Sequence, residues 1–134
     1  MNFEFELDRE YEIDLESLSG EFKIIGDDNN SIQMKNVYIE DWLIAFVEGF
    51  IKLENENLFQ KIELEIDSEP YPLVFELNEK GLIVIYKNDS LKVNTYQDAK
   101  TKLINTINLF FNELSSIPNW KEDINLKPLI NYIN

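Results

Sequence analysis

From Phe3 to Glu16 the chain alternates, acidic at every even position and apolar at every odd one except Arg9. Glu4, Glu6, Asp8, Glu10, Glu12, Asp14 and Glu16 occupy the even positions, and Phe3, Phe5, Leu7, Arg9, Tyr11, Ile13 and Leu15 the odd ones. Side chains on a strand change face with every residue, so the pattern writes one apolar face and one acidic face and excludes an amphipathic helix. A single strand of that length would span roughly 40 Å at about 3.3 Å per residue, well beyond the usual extent. The break is expected near Asp8-Arg9-Glu10, where the apolar half of the alternation fails at Arg9. Like charges on one strand face repel, and folding a small domain does not require them. A basic partner would give the uniform sign a purpose.

Charge distribution strengthens that expectation. Residues 1–67 carry 18 acids against 5 bases, whereas residues 68–134 carry 8 against 7, so the net charge of -14 belongs almost wholly to the first half. Such asymmetry points to one charged working surface. Direct binding to a nucleic-acid backbone needs clustered Lys and Arg; Arg9 is the sole arginine and the lysines are dispersed, so none is expected.

Neither Cys nor His occurs. Disulfides, thiolate and imidazole metal sites, and Ser–His or Cys–His nucleophile pairs are thereby excluded. Gly26-Asp27-Asp28-Asn29-Asn30 offers oxygen ligands but lacks the glycine spacing of a calcium loop. Four glycines form no phosphate-cradling loop. A pair of carboxylates would serve glycoside hydrolysis only in a cleft with one raised pKa, which an open acidic face does not supply. The expectation is a non-enzyme with no cofactor and no metal. The opening MNFEFELDRE has no basic and apolar leader pattern, and no apolar run reaches a membrane span, so a cytoplasmic chain is expected. Heavy use of Asn, Ile, Lys, Glu and Phe suggests an AT-rich bacterial genome.

The remaining pattern predicts an α+β fold over residues 1–134 as one domain: an antiparallel sheet of six or seven strands with two main amphipathic helices on one face, plus a short C-terminal helix. A turn is expected at Ser19-Gly20, strands at 21–25 and 32–37, and a polar turn at 26–30. Trp42, Leu43, Phe46, Val47, Phe50 and Ile51 form one stripe of a helix from Ile39 to about Glu54, which residues 54–57 end. Strands follow at 61–67, 73–77, 82–86 and 91–94. Thr95 with Asp98 approximates a capping box for the second helix, whose apolar stripe runs from Ala99 to Leu114. Pro128 splits the tail at 122–133. Trp42 reads as core, and Trp120 as the residue that pins the C-terminal segment.

With both helices on one face, Glu4, Glu6, Asp8, Glu10, Glu12, Asp14 and Glu16 would form an open acidic plate. Glu63, Glu65 and Asp67 would join it, with Asp27 and Asp28 at its margin. This outline, with Ile39-Glu40-Asp41-Trp42-Leu43 opening an amphipathic helix, a strand meander, and a second helix from Thr95, resembles the immunity proteins of bacterial polymorphic toxin and contact-dependent inhibition systems. The resemblance lies in architecture and composition and carries over no motif residues. It implies a protein that binds a cognate toxin domain, often a basic nuclease, and blocks it. Two alternatives use the same sequence: a nucleic-acid mimic that occupies a DNA-binding protein, and an assembly subunit with no charge-driven partner.

Overall fold

The computed structural model describes residues 1–9, 13–55 and 60–134. It has an α+β architecture with seven strands among those residues, arranged as two antiparallel sheets rather than one. The first sheet has the order β1 (Asn2–Leu7), β2 (Ser19–Ile25), β3 (Ser31–Tyr38). Helix α1 (Ile39–Asn55) follows. The second sheet is a meander of β4 (Gln60–Leu64), β5 (Leu73–Asn78), β6 (Gly81–Tyr86) and β7 (Asp89–Val93). Helix α2 (Tyr96–Leu114) leads through two short 3₁₀ turns to α3 (Lys127–Ile133).

The alternating run stops where its apolar half fails, since β1 ends at Leu7. Among the described residues it does not resume as a strand. Asp14 Oδ1 accepts from the Glu16 N–H at 3.0 Å, and the Ser17 N–H donates to the Asp14 carbonyl at 2.9 Å. Asp14 therefore folds its own backbone into a turn, the local competition that short polar side chains bring against strand pairing. The turn expected at Ser19-Gly20 is instead the start of β2. Gly20 is there because the strands approach closely: a Cβ at this position would lie 2.0 Å from the Glu6 carbonyl oxygen. The polar turn at 26–30 is present, with Asn29 at φ 64° and the Gly26 N–H bonded to the Asn30 carbonyl at 2.8 Å.

Helix α1 is the centre of the core. Its Trp42 ring meets Phe22 of the first sheet at 6.0 Å and Tyr86 of the second at 4.7 Å. Phe46 likewise touches Phe3 at 5.0 Å and Phe75 at 5.5 Å. One helix face thus joins both sheets into a continuous apolar core. On β1, Phe3 packs on α1 while Phe5 packs edge-on to Phe110 of α2 at 5.8 Å, so both helices meet the same side of that strand. β6 lies between β5 and β7, with Leu82, Val84 and Tyr86 buried and Ile83 and Ile85 half-buried on the other side.

Two local expectations change. Thr95 has the extended backbone of an N-cap, but its side chain makes no capping hydrogen bond, and Asp98 pairs with Lys102 at 3.0 Å instead. Pro128 does not split a helix; it stands in the first turn of α3, where a missing N–H costs nothing. Trp120 does pin the tail, its ring 4.8 Å from Phe111 of α2.

Gly49 allows α1 to approach the second sheet. A Cβ added there would sit 2.1 Å from Phe75 Cε2 and 2.6 Å from Leu64 Cδ1. Gly49→Ala should gain up to about 1 kcal/mol of helix propensity and lose more through overpacking, typically about 1–3 kcal/mol. The expected outcome is a lower melting temperature by several degrees in a thermal denaturation measurement. A rise would mean that α1 does not rest on Phe75.

Candidate acidic interface

The carboxylates gather on a different part of the surface from that expected. On α1, Asp41, Ile44, Glu48 and Lys52 recur at helical spacing on a stripe beside the buried one. After the helix, Ile62, Leu64 and Ile66 are buried, which turns Glu63, Glu65 and Asp67 outward. The stripe faces the end of β4 and the residues after it across a cleft of about 450 Å³, lined by Asp41, Glu48, Lys52, Glu63, Glu65 and Asp67. An adjoining cleft of about 310 Å³ shares Asp41, Ile44 and Asp67 and adds Glu16, Tyr38, Glu40 and Asn125. Seven carboxylates thus surround the joined clefts, with Lys52 as the one base among their lining residues.

Glu40 is the electrostatically stressed member. Burial in the first turn of α1 pushes its carboxyl up to about 7, and the nearby Asp41 and Asp123 carboxylates push the same way, against its own backbone N–H. Its Oε2 is buried without a hydrogen-bond partner. A helix N-terminus favours a carboxylate, but here desolvation and like charge outweigh that benefit. A cation brought to this point would relieve both costs. Among the described residues no three acidic side chains are grouped so as to hold a metal ion.

The described residues among those expected to form a single plate are dispersed. Glu4 and Glu6 are exposed on the outer face of β1, where Glu4 lies directly across from Lys23 and Glu6 from Glu21. With Lys35 also exposed on β3, that face is mixed in sign, not uniformly acidic. Asp8 is exposed just beyond β1. Glu10 and Glu12 lie outside the described residues. Asp14 is in the turn described above, and Glu16 at that turn reaches the α1 cleft. Asp27 is structural: its carboxylate accepts from the Met1 ammonium at 2.7 Å and from the Asn94 N–H at 2.7 Å. Those bonds, the ammonium's first, hold its carboxyl below the usual range. Asp28 caps its own turn, accepting from the Asn30 N–H at 3.2 Å.

The sequence reading missed Glu40, Asp41 and Glu48 as surface partners of Glu63, Glu65 and Asp67. Their signal was the acidic stripe at 41 and 48, next to the core stripe of the same helix. Among the described residues no helix is long and apolar enough to cross a membrane. Comparison with protein-family models, with curated proteins and with solved structures gives no match.

Because its folded pKa lies above its unfolded one, Glu40 favours the folded state less as pH rises. Its contribution is complete below about pH 4.5, is lost progressively towards pH 7, and is constant above that. Glu40→Gln should therefore match the wild type near pH 4.5 and exceed it at pH 8. The gap should be on the order of 1–2 kcal/mol after allowance for partial exposure. Urea denaturation at both pH values reads it; an equal stability gap at both would remove Glu40 from this role.

Proposed function

We propose that this chain is a non-enzymatic binding protein that captures a basic protein partner, and that its task is to neutralise a bacterial toxin in the manner of an immunity protein. The observation that carries this reading is the pair of joined clefts along α1, lined by seven carboxylates and one lysine. Lys and Arg side chains of a partner fit such clefts, and Glu40 supplies a buried oxygen that a cation would satisfy. A nuclease, whose substrate groove is basic, presents the complementary surface, and its occupation would exclude substrate. Long-range attraction would speed encounter by about 10–10³-fold at low salt. The imbalance of charge between the two halves of the chain supports the same reading, because the clefts are built almost entirely from the first half.

The test is recovery of a partner from native lysate at low and high salt, with wild type and two charge-reversed variants. One variant combines Asp41→Lys, Glu48→Lys, Glu63→Lys and Glu65→Lys; the other combines Glu4→Lys and Glu6→Lys. We expect a basic toxin domain to be retained by the wild type at low salt and released at high salt. The four-residue variant should lose it, with association slowed at least tenfold. Retention by that variant would overturn the assignment to these clefts. A DNA-processing enzyme as the retained protein would replace immunity by nucleic-acid mimicry.

A further inference from the structure

β1 is the outermost strand of the first sheet, and its outer edge is unpaired among the described residues. The Asp8 N–H donates to the Ser19 carbonyl at 2.9 Å, continuing the register in which Leu7 lies across from Gly20. Antiparallel pairing alternates, so the even residues of β1 turn their backbone groups towards β2. The N–H and C=O groups of Phe3, Phe5 and Leu7 therefore point away from the sheet. Helix α2 runs alongside. Between it and the strand lies a cleft of about 400 Å³ lined by Phe3, Phe5, Thr106, Leu109 and Glu113, and Leu109 is 59% exposed within it. The ion pair of Arg9 with Glu113 ties the end of β1 to α2 and bounds the cleft.

We infer that this edge accepts an extended segment of a partner in which apolar and basic residues alternate. The added strand would complete the hydrogen bonding of Phe3, Phe5 and Leu7, the established mode of strand addition at an exposed edge. Side chains on its inner side enter the cleft beside Leu109. Those on its outer side lie over Glu4 and Glu6, about 4.5–5.5 Å from the residues opposite, and there a cation is favoured. A second copy of β1 is not the occupant: antiparallel self-pairing would set Glu4 and Glu6 against Glu4 and Glu6. The inference rests on β1 and α2, and it holds whether or not the α1 clefts bind the same partner.

The probe is a blocked heptapeptide alternating lysine and valine, titrated to about 1 mM into the full-length, isotope-labelled protein. Expected are shifts of the Phe3, Phe5 and Leu7 amide resonances and slower hydrogen exchange at those amides. A peptide of the same composition with its lysines and valines in separate blocks should bind at least tenfold more weakly. N-methylation of one alternate set of peptide amides should weaken binding at least tenfold, and methylation of the other set should not, because only one set faces β1. Leu109→Asp, a change at an exposed position, should also weaken it, while Glu4→Lys with Glu6→Lys should transfer preference to a glutamate–valine peptide. No binding, equal binding of the block peptide, or equal effects of the two methylations would overturn the inference. Far-ultraviolet circular dichroism of each variant, expected to match the wild type, checks that its fold is kept.

Discussion

The closeness of α1 to two separate sheets is the condition on which the rest of this structure depends. A helix that carries Trp42, Phe46 and Phe50 on one face needs aromatic or branched partners on all sides to exclude water. Here the two sheets supply them, Phe3 and Phe22 from one and Phe75 and Tyr86 from the other. Gly49 sets how near the helix can come, because its missing side chain is the space that Phe75 and Leu64 occupy. Once the helix axis is placed in this way, the stripe with Asp41 and Glu48 is fixed against β4. The acidic clefts are thus a by-product of core packing, not of any local acidic motif.

Much of the architecture was legible because it is periodic. The helix boundaries at 39–55 and 96–114 follow apolar stripes, and the strands at 73–78 and 81–86 follow short β-rich runs between turn residues. The end of β1 was legible for the same reason: Arg9 breaks its alternation. Where the reading failed, a local hydrogen bond or a tertiary contact had overridden the period. Asp14 closes a turn on itself, so the alternation from Ile13 to Glu16 makes no strand. Gly20 is a residue of close strand approach that looks in sequence like a turn residue. Nor does any one-dimensional pattern say whether seven strands pair into one sheet or two.

The acidic surface illustrates the same division. That the first half of the chain holds the negative charge is plain from counting, but which carboxylates meet is a property of the fold. Glu16, Glu40, Asp41, Glu48, Glu63, Glu65 and Asp67 come from a turn, a helix, β4 and the loop that follows it, and only packing brings them around shared clefts. Glu40 and Asp41 have an ordinary explanation at a helix start, which hides their part in a larger grouping. Conversely, Glu4 and Glu6 belong to the most conspicuous run in the sequence, yet Lys23 dilutes their field. Periodicity locates a face; it does not sum the charges that neighbouring strands add to it.

Asp27 has a consequence beyond its removal from the acidic surface. Its carboxylate joins the start of β1 to the end of β7, and its own N–H donates to the Lys92 carbonyl at 2.8 Å. Among the described residues the two sheets exchange no ladder of hydrogen bonds, so without such a clasp each could open on its own, as separate foldons do. With the turn between β2 and β3 anchored on the last strand of the other sheet, detaching either sheet also uncovers the rings it shares with α1. The molecule should therefore open as one cooperative unit, its earliest and latest strands released in the same event.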